Sequence, residues 1–224
     1  MTLGFRVFDG HERADRALTA ALGKVPTAII SDNLNRMVAA GPTVRPMHRG
    51  GLLSGTAVTV KTRPGDNLMI HKATDLLQPG DVIVVEAGGN LTNALIGELI
   101  ISHARSRGAA GFVIDGALRD LEAIRDNDFP VYAAGVSHRG PYKDGPGEVN
   151  VPIALDGMIV SPGDIIVGDL DGVVAIPKAD AAAVLKLCEA QITREQSIME
   201  AINGEGWERT WVDEILRGRG CEYH

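Results

Sequence analysis

Two short apolar runs, Val82-Ile-Val-Val-Glu86 and Gly111-Phe-Val-Ile-Asp115, bracket a stretch with helical spacing from about Gly97 to Arg107 that ends at Gly108. Runs this short and this apolar read as buried strands, and a helix between two of them is the unit from which α/β sheets are built. More strand follows. Val131-Tyr-Ala-Ala begins one, and Met158-Ile-Val, Ile165-Ile-Val-Gly and Val173-Val-Ala-Ile alternate with turns before a long helix over Ala179 to Asn203. The pattern predicts an α/β domain, a mixed sheet flanked by helices. With aromatics at only 4%, its core has to be built from Val, Ile, Leu and Ala.

Around this centre the segments are shorter. Asp15 to Leu22 reads as a helix ended by Gly23. A second helix over Asn33 to Ala39 is expected behind a Ser31-Asp32 cap. Gly55 to Thr62 is β-branched and alternating, hence a strand. A glycine loop is expected at Gly88-Gly-Asn90 and a short helix over Arg119 to Arg125. His138 to Val149 reads as a long aperiodic loop, and Trp207 to Arg217 as a last helix. No repeat or composition break divides the chain, so one domain over 1–224 is expected.

Charge and cysteine usage narrow the function. A net charge of −7 argues against a phosphate backbone as partner. Cys188 and Cys221 stand in no metal-ligand spacing, and no apolar signal core or membrane-length run is present. A cytoplasmic protein that binds neither nucleic acid nor membrane is expected.

Several carboxylates compete for a chemical role. Pro-Gly-Asp occurs at 64–66, 79–81 and 162–164, and each reads as a turn launching the next element rather than as catalytic. Asp169-Leu-Asp171 before Gly172 reads as a hairpin turn, and Asp32 as a helix cap. His71 and His103 fall on helical segments, whereas His138 and Arg139 enter the long loop, where contact with a substrate is open. The chemistry concentrates after the two central strands, because loops at the carboxyl ends of parallel strands gather at one edge. There, the first-turn N–H groups of Gly97, Glu98, Leu99 and Ile100 suit a carboxylate. Arg119 can clamp one, and Asp120 is a hard ligand for Mg²⁺ or Mn²⁺. Glu98 suits a base acting through water. On spacing alone, the bland alternative stands beside this: Asp120 as a helix cap, Arg119 as a surface residue and Gly116 as a turn. No GxGxxG, Walker, GxSxG, HExxH or Cys–His zinc pattern is present.

Val113-Ile-Asp-Gly-Ala-Leu-Arg-Asp120 preceded by Gly97-Glu-Leu resembles the signature of the metal-dependent pyruvate aldolases. That family contains 4-hydroxy-4-methyl-2-oxoglutarate aldolases and the regulator of ribonuclease E activity A. Ile30-Ser-Asp-Asn-Leu, the three Pro-Gly-Asp blocks and Gly168-Asp-Leu-Asp-Gly-Val-Val174 extend the likeness in order along the chain. The family pattern is an Asp, twenty residues, then Arg-Asp; here Glu98 stands in the first place, one methylene longer. The resemblance implies a swivelling-type (phosphohistidine-domain-like) α/β domain in a homotrimer or homohexamer. It also implies cleavage of 4-hydroxy-2-oxo acids to pyruvate, with oxaloacetate decarboxylation beside it. By the same likeness Gly97 to Ile100 and Arg119 bind the pyruvate part, and Asp120 binds the metal. A glutamate from a neighbouring subunit stands near the metal's waters; Glu195 is the best match, with Glu189 and Glu200 competing. The rival reading is an interaction protein that inhibits a ribonuclease, its active site vestigial.

Overall fold

The computed structural model describes residues 3–204 and 206–224. Its elements run β1 (Phe5–Val7), α1 (Arg16–Leu22), α2 (Thr27–Asn33), β2 (Arg45–Pro46), β3 (Leu53–Thr62), α3 (Leu68–Asp75), β4 (Asp81–Ile96), α4 (Glu98–Ser106) and β5 (Gly111–Leu118). They continue with α5 (Leu121–Arg125), β6 (Val131–Val136), β7 (Gly147–Val149), β8 (Ile153–Leu155), β9 (Met158–Val160), β10 (Ile165–Gly168), β11 (Val173–Ile176), α6 (Ala181–Asn203) and α7 (Thr210–Gly218).

Strands β3, β4, β5 and β6 lie parallel in that order, joined through α3, α4 and α5. β3 also takes antiparallel partners, β10 along its first residues and β7 along its last, which makes the sheet mixed. β8 and β9 form a separate antiparallel pair. The mixed sheet flanked by helices is the architecture that the strand–helix–strand pattern predicts.

Period-two alternation sorts the aliphatic residues onto two faces. Ile83 and Val85 of β4, with Phe112 and Ile114 of β5, join a cluster that includes Met69 and Ile70 of α3 and Ile101 of α4. Val82, Val84 and Val113 point the other way, toward Leu155, Met158 and Ile166. Burial on both faces is why these strands read as near-continuous apolar runs.

The chain divides into two compact units, residues 1–188 and 189–224. In the second unit, α7 buries none of its residues and leaves Trp211 and Ile215 about half exposed.

Several local expectations are corrected. The second helix is Thr27–Asn33, not Asn33 to Ala39. Its start is fixed by Asp169, whose carboxylate accepts from Thr27 N at 2.8 Å and from Thr27 Oγ1 at 2.7 Å. Its end is fixed by left-handed backbone at Asn35 and Arg36. Asp32 is therefore no N-cap; it sits in the last turn and pairs with Arg36 at 2.8 Å. The glycine loop after Glu86 is instead a continuation of β4, with register shifts between Glu86, Asn90, Ala94 and Ile96 and positive φ at Gly88 and Gly89. The short helix begins at Leu121 rather than Arg119, and the long loop ends in β7. The last helix starts at Thr210, three residues later than expected.

Candidate active site

The carboxyl ends of β4 and β5 deliver the site. Ile96 pairs with Leu118, and Arg119 N donates to Ile96 O at 3.0 Å, so Gly97 and Arg119-Asp120 leave the sheet side by side. Asp120 adopts left-handed backbone, φ 60° and ψ 40°, and its side chain caps no N–H of its own five-residue helix. Its Oδ2 instead accepts the Glu98 N–H at 3.0 Å and stands 3.7 Å from Arg119 Nε. Non-glycine residues held in this region carry strain that the surroundings must impose, and such positions cluster at functional sites. The cap alternative for Asp120 therefore does not describe the structure.

Gly97 explains the close approach. A Cβ there would overlap Asp120 Oδ2 and come within 2.9 Å of Arg119 Cγ. Only a residue without a side chain lets the helix start, the carboxylate and the guanidinium converge. One expectation is altered by this arrangement: the Glu98 N–H is spent on Asp120, leaving Leu99 and Ile100 as the first-turn N–H groups ahead of the first helical bond, Ile101 N to Gly97 O.

A cleft of about 130 Å³ opens here, lined by Gly97, Leu99, Ile100, Arg119 and Asp120 on one side. A further wall comes from Asn67 at the N-cap position of α3, His71 on α3, and Pro141 and Lys143. The sequence pointed to no site role for Asn67 or His71, and to Pro141 and Lys143 only through the long loop that carries them as a source of the distal pocket; α3's place in the sheet and the path of residues 141–143 bring them in. Asp66 pins that wall. Its buried carboxylate accepts the N–H groups of Leu68, Asp144 and Gly145 at 2.8–2.9 Å and pairs with Arg63 at 3.1 Å. Asn67 Nδ2 then donates to Leu95 O at 2.9 Å, tying the start of α3 to the end of β4.

The structure sorts the remaining candidates. Glu98 stands at the helix start, with an exposed side chain that is not part of the cleft lining. His138 and Arg139 do not line it either; Arg139 contributes its carbonyl to Ala94 N at 2.8 Å. Glu195 is exposed on α6 and accepts from Gln191 at 2.8 Å, one turn away; Glu189 and Glu200 are exposed as well. Asp81 and Asp164 act as turn carboxylates. Asp81 accepts Gln78 N at 2.8 Å and pairs with Arg13 at 2.8 Å, and Asp164 accepts Ser161 N at 2.8 Å. Asp169 accepts Asp171 N at 2.9 Å within the hairpin.

A larger groove of about 510 Å³, lined by Phe5, Val7, Leu68, Met69, Lys72 and His103 among others, shares His71 with the cleft. It is open and mostly apolar and has no carboxylate–arginine pair beside a helix start. Size alone does not single out the site here; the converging polar groups do. Burial, with Lys143 adding to it, holds the His71 ring below the ordinary histidine range, against the pull of Asp75.

Comparison with known proteins places these residues in context. The RraA-like family model, described as Aldolase/RraA, matches residues 27–175, which include the whole cleft. A Halalkalibacterium halodurans protein named "Putative 4-hydroxy-4-methyl-2-oxoglutarate aldolase" is 38% identical over 80% of this chain and 85% of its own length. Among solved structures, an uncharacterized protein from Pseudomonas syringae superposes with a TM-score of 0.78 at 27% identity, covering 87% of this chain and 92% of that one. Streptomyces coelicolor RraAS2, described as an unusual member of the RNase ES inhibitor RraA family, superposes with a TM-score of 0.77 at 26% identity, covering 84% and 98%.

Proposed function

The chain belongs to the RraA-like (Aldolase/RraA) family, and we propose that it is a divalent-metal-dependent lyase cleaving 4-hydroxy-2-oxo acids, such as 4-hydroxy-4-methyl-2-oxoglutarate, to pyruvate. Oxaloacetate decarboxylation accompanies that reaction, because loss of CO₂ leaves the same enolate. The observation that carries the reading is the Arg119–Asp120 pair, 3.7 Å apart, set against a helix start by a glycine whose Cβ would close the gap.

The residues fit a Mg²⁺ or Mn²⁺ ion. Asp120 offers a hard oxygen donor in the cleft, one oxygen oriented by the Glu98 N–H and the other, among the described residues, without a protein hydrogen bond. Among the described residues no three His, Cys, Asp or Glu side chains gather around one point. The fit is thus to an ion that keeps most of its waters and takes one protein carboxylate. When bound, the ion supplies Lewis-acid polarisation of the 2-oxo acid.

The chain's own groups do the rest. The Leu99 and Ile100 N–H groups and the Arg119 guanidinium hold the substrate carboxylate. Arg119 also faces the negative charge that grows as the C3–C4 bond breaks. The C4 hydroxyl loses its proton as C4 becomes a carbonyl, the bond pair passes to C3, and water protonates the enolate. Glu98 takes the part of base through an intervening water. Lys143, in the same cleft lining, is the cation available to a distal carboxylate. Glu195 of a neighbouring copy, in a homotrimer or homohexamer, joins the water network, with Glu189 and Glu200 as the alternatives. Cys188 and Cys221, which form no disulfide among the described residues, suit a reducing cytoplasm.

The test is pyruvate release from oxaloacetate and from 4-hydroxy-4-methyl-2-oxoglutarate, with either metal and with chelator. Turnover that needs metal and falls by about 10³-fold or more in Asp120→Ala and Arg119→Ala supports the reading. Turnover indifferent to both substitutions sinks it. The likeness to RraAS2 supports a second reading, a ribonuclease-binding regulator. That reading expects binding to the ribonuclease to survive both substitutions.

A further inference from the structure

Two buried polar atoms in the cleft have no partner. Asn67 is only 2% exposed, and its Oδ1 makes no hydrogen bond; the same holds for the buried His71 Nε2. Buried polar atoms are nearly always paired, so each exception asks for an explanation. Here the two exceptions belong together. Both residues line the same cleft as Arg119 and Asp120, one helical turn apart, Asn67 at the N-cap position of α3 and His71 in its first turn, where His71 N donates to Asn67 O at 3.1 Å.

Their chemistry is defined by what surrounds them. The bond from Asn67 Nδ2 to Leu95 O fixes the amide orientation, so the unpaired atom is an acceptor. An uncharged acceptor on a residue of the cleft lining disfavours a carboxylate and suits an O–H group. Burial lowers the His71 pKa and so favours the neutral ring, which carries a single N–H. For a substrate whose carboxylate is clamped at α4, Asn67 and His71 are part of the lining left for its far carbons. A hydroxyl group is the smallest substituent that both donates and accepts.

We propose that Asn67 and His71 form the subsite that reads the C4 hydroxyl of the substrate: His71 Nε2–H donates to its oxygen, and Asn67 Oδ1 accepts its hydrogen bond in the bound substrate until the hydroxyl turns its proton to the water that relays it to Glu98. This rests on the lyase reading above and deepens it. It makes α3 the element that separates 4-hydroxy-2-oxo acids from their deoxy counterparts, while the α4–Arg119 side handles the pyruvate part common to both.

The experiment compares two activities in the same metal-loaded proteins. Cleavage of 4-hydroxy-4-methyl-2-oxoglutarate needs the hydroxyl; exchange of pyruvate methyl protons with D₂O, followed by NMR, needs only the enolate site. His71→Leu is expected to lower kcat/KM for cleavage by about 10- to 100-fold while leaving exchange within about twofold; Asn67→Leu, which also removes the bond to Leu95 O, should lower cleavage more than exchange. The inhibition constant of 2-oxoglutarate, which lacks the hydroxyl, should also stay put. His71→Gln, which returns a donor near the Nε2 position, should recover part of the loss. Equal loss of cleavage and exchange, or cleavage unaffected by either leucine, overturns the subsite alone. A wild-type protein that exchanges no pyruvate proton overturns the lyase reading and the subsite with it.

Discussion

The three Pro-Gly-Asp turns and the Arg119-Asp120 corner use the same side chain for opposite ends. In the turns the carboxylate is buried and consumed: Asp66 accepts three backbone N–H groups, Asp81 one plus Arg13, and Asp164 two, from Ser161 and Lys178. At the corner Asp120 keeps 42% of its side chain exposed and engages one N–H, with a guanidinium nearby. The backbone differs in the same sense. Each turn puts its positive φ on a glycine, Gly65, Gly80 or Gly163, whereas the corner forces it on the aspartate itself. A carboxylate whose bonds are all internal stabilises the fold. One held in place but left open is available to a ligand.

Gly97→Ala probes the corner most sharply without touching a charge. The added Cβ would meet Asp120 Oδ2 and Arg119 Cγ, so one or both must shift. Because displacements of about 1 Å in a catalytic constellation cost on the order of 10²-fold, kcat/KM for pyruvate release should fall by about that factor. The urea midpoint should stay near wild type, since the φ of Gly97 is −155° and alanine adopts it freely. A large loss of stability with activity intact per folded molecule would erase the distinction between corner and turn.

Asp81→Asn makes the complementary break. Asp81 is 1% exposed and is held by Arg13 at 2.8–2.9 Å and by Gln78 N. Replacing the carboxylate weakens a paired, buried charge and should cost about 2 kcal/mol in urea unfolding. Pyruvate release by the folded fraction should be unchanged. If Asp81→Asn abolished turnover at full stability, this turn would have to be counted with the site.

These contrasts also mark how far the sequence could be read. The turns were legible because Pro-Gly-Asp is a local code, and β4, β5 and α4 because their periods are local too. Arg119 and Asp120 stood out through spacing and family likeness. What stayed hidden depends on contacts distant in sequence. Nothing near Thr27 announces that a carboxylate 142 residues away will cap it, so α2 was misplaced. The continuation of β4 past Gly88 and Gly89 is paid back only by pairing with β5 through shifted register, which no window of single-strand sequence displays. Asn67, His71 and Lys143 become cleft residues only when Asp66 gathers α3 and residues 144–145, and Lys143 shows no motif at all.

Acid sensitivity gives the finest cut, because two turn aspartates titrate in opposite directions. Burial would raise the Asp66 pKa, but the N–H groups of Leu68, Asp144 and Gly145, with Arg63, outweigh it and hold the carboxyl below its usual range. For Asp164 burial wins over the Ser161 and Lys178 N–H groups and the Lys178 charge, and the carboxyl is pushed up. The signs follow from proton linkage. Below the unfolded value of about 3.9, native Asp66 resists the proton that the unfolded chain takes, so its stabilisation is lost as pH falls through its depressed folded value. Native Asp164 takes a proton more readily than the unfolded chain, so stability gains as pH falls through its raised value. Asp66→Asn should therefore flatten the acid limb of a stability–pH profile measured by urea unfolding, while lowering the plateau near neutrality. Asp164→Asn should steepen that limb. Since Asp66 also anchors the wall that carries Lys143, only Asp66→Asn should raise KM for a dicarboxylic substrate at neutral pH. Acid limbs that move the same way in both variants would mean that burial, not the count of N–H donors, governs both of these turns.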